Sequence, residues 1–114
     1  MSRLEIQRPV PNDAEEMIKL YFTVYGHSYP INYGRDPELL SRAISSTQDH
    51  MVYIARDKKY KKIVGICIYE IDRFNRIGKV VGLVVHPDYR RQNLGHALVT
   101  MGSETLIHEG GELN

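Results

Sequence analysis

The chain has 114 residues, 42% of them hydrophobic, and a formal net charge of +1. That is enough apolar material for one buried core, and the balanced charge gives no electrostatic case for a nucleic-acid or polyanion binder. No apolar run is long enough to span a bilayer, no basic-then-apolar leader opens the chain, and a single cysteine, Cys67, excludes a disulfide framework or a cysteine metal cluster, so the expected setting is a reducing cytoplasm away from membranes.

The stretch "LEIQRPV" alternates apolar and polar residues at Leu4, Ile6 and Arg8 and stops at Pro9 and Pro11, which predicts a short strand. "NDAEEMIKLYFTVYG" predicts a helix capped by Asn12 or Asp13, with Glu15 and Glu16 at the positive end of its dipole. Met17, Ile18, Tyr21, Phe22, Val24 and Tyr25 form its expected buried face, and Gly26 ends it. A loop rich in Gly and Pro, "GHSYPINYGR", follows. "DPELLSRAISSTQ" restarts a helix with Asp36 as cap, Pro37 at the first helical position and an apolar stripe of Leu39, Leu40, Ala43 and Ile44.

Three strands come next. "HMVYIAR" is separated by the charged turn "DKKYKK" from "IVGICIYEID", whose continuous apolar run predicts burial on both faces. "RFNRIG" turns the chain into "KVVGLVVHP". "LGHALVTMGSETLIHE" then predicts a helix of about four turns with Leu94, Leu98, Met101 and Thr105 along one face, broken by Gly110 and Gly111. The order strand, helix, helix, three strands, helix predicts an α/β (α+β) fold, a mostly antiparallel sheet flanked by helices in a single domain over 1–114.

The chemistry concentrates in "VVHPDYRRQNLGHALV", Val84 to Val99. A strand that feeds a helix through a short loop leaves backbone N–H groups unpaired at the helix start, where the dipole favours an anion. Arg90 and Arg91 add positive charge just ahead of it, and Gly95 removes a side chain where a phosphate approaches the backbone. Taken alone, two arginines and a glycine read better as solvated loop charges and an eased turn than as an anion site.

The whole string V-x-H-P-D-Y-R-R-x-x-L-G-x-A-L resembles the acyl-CoA-binding signature of the GNAT superfamily of N-acetyltransferases, with Arg90 at its Arg/Gln position, Asn93 at its first glycine and Gly95 at its second. The resemblance is specific over Lys79 to His108 and carries the element order as well. It implies transfer of an acetyl group from acetyl-CoA to a small-molecule or peptide amine. The pantetheine arm would pair with the backbone of Leu83, Val84 and Val85. The pyrophosphate would lie on the amides of Arg90, Arg91, Gln92, Asn93, Leu94, Gly95 and His96. An amide of the same strand would polarise the thioester carbonyl, and direct attack by the amine requires no cysteine nucleophile.

Three departures bear on that implication. Asn93 replaces a glycine, and Asn is the side chain most tolerant of left-handed backbone. The sequence stops at Asn114, where the family's fifth strand should begin, so its closing strand-helix-strand-strand part, including a tyrosine that acts as general acid, is expected to be missing. The alternative reading is therefore an acyl-CoA-binding module or inactive fragment acting through dimerisation, with a homodimer or another partner covering an open sheet edge. Finally, the family's glutamate on the fourth strand is matched by Lys79, which leaves Glu70 and Asp72 on the preceding strand and His86 at the strand end as candidate bases, Glu70 ahead of the others. Glu70, if buried, would hold its proton more tightly than an ordinary carboxylate, and if solvent-facing is a surface charge. His86 has a suitable intrinsic pKa, or simply terminates its strand.

In the family the loop between the first two helices lines the acceptor site, and here it carries His27, Tyr29, Tyr33 and Arg35. Tyr29 and Tyr33 read equally as pocket walls or packing residues, and Arg35 as a grip on an acidic group or a surface charge. Tyr21, Tyr25, Cys67, Met17, Met51 and Met101 read as core. The turn Lys58 to Lys62 reads as solvated, and no histidine has metal-ligand spacing, so no metal is expected.

Overall fold

The computed structural model describes residues 3–26 and 36–113. Its strands are β1 (Leu4–Gln7), β2 (His50–Asp57), β3 (Lys62–Asp72), β4 (Ile77–Val85) and β5 (Glu112–Leu113), and its helices α1 (Ala14–Tyr25), α2 (Pro37–Ser45) and α3 (Leu94–His108). The sheet order is β1-β2-β3-β4-β5, antiparallel from β1 to β4, with β5 parallel to β4. The expected class and element order hold. β5 corrects the expectation that no fifth strand begins before Asn114: two residues long, it follows the Gly110–Gly111 break and pairs with β4, and it is too short to carry an alternating signal.

Alternation along the strands sorts the core into two layers. Val52, Ile54, Ile66, Ile68 and Val84 pack with Met17, Leu20 and Tyr21 of α1 and Leu40 of α2. Met51, Tyr53, Ala55, Cys67 and Tyr69 pack with Leu94, Leu98 and Leu106 of α3. Ile63 to Tyr69 are buried without interruption, as a central strand covered on both faces requires. Asp36 caps α2 by accepting from the amides of Glu38 at 2.9 Å and Leu39 at 3.4 Å.

Helix phases differ in detail from the hydropathy pattern. In α1 the buried residues are Ala14, Met17, Leu20 and Tyr21, whereas Phe22 is 52% exposed and Tyr25 is also exposed. Asp13 heads α1 but turns its carboxylate to the Val10 amide, 2.9 Å, and to Arg56, 3.1 Å. In α3 the buried line is Leu94, Leu98, Gly102 and Leu106, and Met101 is 37% exposed. The reason is Tyr69, which enters the helix face at Gly102 and shares its hydroxyl proton between the carbonyls of Leu98, 3.1 Å, and Val99, 2.9 Å. A Cβ on Gly102 would stand 2.2 Å from the Tyr69 ring, so glycine is required there by close approach.

Candidate functional site

The site begins with an irregularity in β4. Ile68 pairs with Gly82 and Tyr69 with Val80, which leaves Val81 as an extra residue, a bulge. A bulge bends its strand and increases its twist. β5 pairs with β4 only at Ile77 and Gly78, ahead of the bulge. Beyond it, among the described residues, the outer edge of β4 has no neighbour as far as Val85. Leu83 is 39% exposed there, Val85 is half-buried, and Val84 points into the α1 layer. Gly82, a glycine inside an apolar strand run, is the sequence signal that could have located the bulge.

After Val85 the chain enters a 3-10 helix, Pro87–Gln92, and then α3. His86 caps that turn: its Nδ1 accepts from the Asp88 amide at 3.1 Å. Asn93 joins the two helices at φ 55°, ψ 28°, the left-handed conformation expected of it. The first α-helical bond of α3 runs from the Ala97 amide to the Asn93 carbonyl, 3.0 Å. The amides of Leu94, Gly95 and His96 precede it and find no backbone acceptor outside the helix among the described residues, and Asn93 supplies no side-chain cap. No acidic residue occupies the first turn of α3. The helix start is therefore open to an anion.

Gly95 adjoins the same surface. A Cβ there would fill space over Leu83 and Val85, 3.7 Å from each, an ordinary contact distance. Internal packing does not demand glycine, so the space it leaves over the end of β4 is free for a ligand.

Tyr89, inside the loop, is a buried anchor that sequence reading missed. Its hydroxyl donates to Asp57 at the end of β2, and the same carboxylate accepts from Arg3 Nε at 3.0 Å and from the amides of Lys59, 2.9 Å, and Tyr60, 3.4 Å. Burial by itself would raise the Asp57 pKa, but the hydrogen bonds from Tyr89, Arg3 and the two amides outweigh it and hold the carboxyl at about 2. The bond to this carboxylate in turn pushes the Tyr89 phenol up. Nothing in the sequence marks a pairing across 32 positions; it exists because β2 and β4 both end at this side of the sheet.

The remaining predicted residues fall in two places. Arg90, Arg91, Gln92 and His96 are exposed around the loop, and Arg90 folds back to donate from Nε to the Val85 carbonyl at 3.3 Å. Glu70 lies at the opposite end of β4, in register with Lys79, exposed and beside a shallow groove lined also by Ile71, Asp72 and Ile77. The structure thus brings Leu83 to His96 together and sets Glu70 apart from His86. Tyr29, Tyr33 and Arg35, with His27, lie outside the described residues. Cys67 is buried, which pushes its thiol up to about 11. Among the described residues no group of three or more His, Cys, Asp or Glu is placed to hold a metal ion, and no helix is long and apolar enough to cross a membrane.

Solved structures share this frame. The PaiA N-acetyltransferase of Thermoplasma acidophilum, in complex with coenzyme A, superposes with a TM-score of 0.78 at 19% identity, over 96% of this chain and 75% of that one. An aminoglycoside acetyltransferase from an uncultured soil metagenomic sample, in complex with sisomicin, gives 0.74 at 23% identity, over 96% and 74%. A ribosomal-protein alanine N-acetyltransferase from Escherichia coli gives 0.73 at 17% identity, over 94% and 61%, so the chain spans less than two thirds of that protein. No curated protein sequence matches significantly. The family model described as Acetyltransferase (GNAT) family matches residues 14–113, nearly the whole chain, and the chain therefore belongs to the GNAT acetyltransferase family.

Proposed function

We propose that the chain binds acetyl-CoA at the end of β4 and passes its acetyl group to an amine. The observation that carries this reading is the open start of α3, where the Leu94, Gly95 and His96 amides converge beside the unpaired stretch of β4 within a GNAT frame. The donor supplies a thioester; the chain supplies the surface that holds it. The pyrophosphate takes the amides from Arg90 to His96, with Arg90 and Arg91 adding charge from the rim. The arm runs along the free edge of β4 at Leu83, Val84 and Val85 toward the bulge at Val81, adding itself as a strand. There a β4 amide donates to the carbonyl oxygen as negative charge develops on it. The amine nitrogen attacks the carbonyl carbon, the carbon–sulfur bond breaks, and the amine proton passes to a base.

For that base we favour Glu70, which lines a groove on the far side of the bulge, over His86, whose Nδ1 lone pair is already committed to the Asp88 amide. Tyr29, Tyr33 and Arg35 are our candidates for the acceptor side. The acceptor class is an amine on a small molecule or a peptide, the two kinds borne by the aminoglycoside and ribosomal-protein enzymes that share the fold. We place the protein in the cytosol, as one domain whose open β4 edge, when the donor is absent, is covered by a second copy or another partner.

A second reading, binding without catalysis, is favoured by the exposure of Glu70 and by its register with Lys79, well before His86 along the chain of β4. Thiol release from acetyl-CoA over a panel of aminoglycosides and peptide N-termini decides between them. Turnover that Glu70→Gln lowers by about 10²-fold or more supports the enzyme with this base. Donor binding with no thiol release from any amine supports the module.

A further inference from the structure

The turn Lys58–Lys62 carries four lysines in five positions on a chain whose net charge is only +1. It does not hang free in solvent. Asp57 holds the turn through the amides of Lys59 and Tyr60, and holds the phosphate-binding loop through the Tyr89 hydroxyl, so one buried carboxylate fixes the two segments side by side. Lys62 Nζ lies 5.6 Å from the centre of the Tyr89 ring, directly against that loop.

The charges of the turn are gathered rather than spread. Arg3, Lys59 and Lys62 all approach the ring of Tyr60, at 5.3, 5.4 and 5.8 Å, and that ring is 58% exposed. Arg3 is neutralised by Asp57 at 2.9 Å. Among the described residues no carboxylate stands within ion-pair distance of Lys59 or Lys62. Two unneutralised ammonium groups held around one aromatic ring repel each other, and an anion bound between them relieves that repulsion.

We infer that Lys59 and Lys62, on the turn locked to the phosphate loop by Asp57, form a subsite for the ribose 3′-phosphate of the acyl-CoA donor. The inference rests on the donor reading of the loop. With the pyrophosphate on the α3 amides, the 3′-phosphate is the donor's remaining strongly charged group, dianionic at neutral pH. It is also the group whose recognition separates CoA from its dephosphorylated form. Two ammonium groups meet a phosphomonoester as mobile point charges, which suits a partly exposed, salt-sensitive contact.

The test is calorimetric titration of the full chain with CoA and with 3′-dephospho-CoA, repeated on the double variant Lys59→Gln, Lys62→Gln. The wild type binds CoA about tenfold or more tightly than the dephosphorylated form. In the variant that ratio falls close to one, while affinity for dephospho-CoA stays as it was, which also shows that the variant is folded. A ratio near one in the wild type, or one that the double substitution leaves unchanged, overturns the subsite and leaves the donor reading standing. Binding of neither ligand by the wild type overturns both.

Discussion

Asn93 sits at φ 55° and ψ 28°, where an ordinary L-residue pays roughly 1–2 kcal/mol and Asn or Gly much less. Asn93→Ala is expected to lower stability by about 1 kcal/mol, and Asn93→Gly to change it by no more than a few tenths. Equal urea midpoints for the three proteins would contradict this. The position was legible in sequence because a glycine-rich signature carries its backbone angles with it. Gly102 was not. Hydropathy ranks Met101 above glycine, yet Tyr69 needs the missing side chain, and a ring entering from another strand leaves no trace in helical periodicity. Gly102→Ala places a Cβ against that ring and is expected to cost about 3 kcal/mol, the upper end for overpacking, read as a fall in melting temperature.

At the level of elements, the turn after β2, the entry to β1 and the loop before α3 meet on Asp57. A carboxyl held at about 2 when folded and near 3.9 when unfolded stabilises the fold fully above about pH 4. That contribution is lost as pH falls from about 4 through about 2. Denaturant midpoints of the wild type should therefore drop more steeply across this window than those of Asp57→Asn, and parallel slopes would refute the linkage. Tyr89→Phe removes one donor to the same carboxylate while keeping the buried ring. It is expected to lower the melting temperature and loosen the loop, seen as faster exchange of its hydrogen-bonded amides at Asp88, Tyr89 and Ala97. The elements themselves were readable from the order of periodic segments and their caps. Their junctions were not, since the Val81 bulge and the Asp57–Tyr89 bond arise only when strands distant in sequence are registered.

For the whole molecule, the sheet order puts β4 next to the edge, with a two-residue β5 beside only its first residues. An apolar strand with free backbone groups pairs readily with another chain. Without donor, sedimentation or scattering is expected to show a dimer or larger species paired at this edge, which acetyl-CoA breaks up by taking the same edge and which a charge at the exposed Leu83 weakens. A monomer with an unchanged profile for Leu83→Lys would argue that the edge is not an interface. Fold class and the location of the loop followed from one motif embedded in a consistent element order. The acid–base set did not, because Glu70 and His86 sit at opposite ends of β4 and only the folded strand reveals their separation. The open start of α3, beside the free stretch of β4, is the acetyl-CoA site we propose. Calorimetric titration with acetyl-CoA tests it most directly, on the wild type and on Arg90→Ala and Arg91→Ala. Binding is expected to be saturable, and weakened more by loss of Arg90, which is anchored to Val85, than by loss of Arg91. No heat at high ligand concentration, or identical affinities for the two variants, would contradict it.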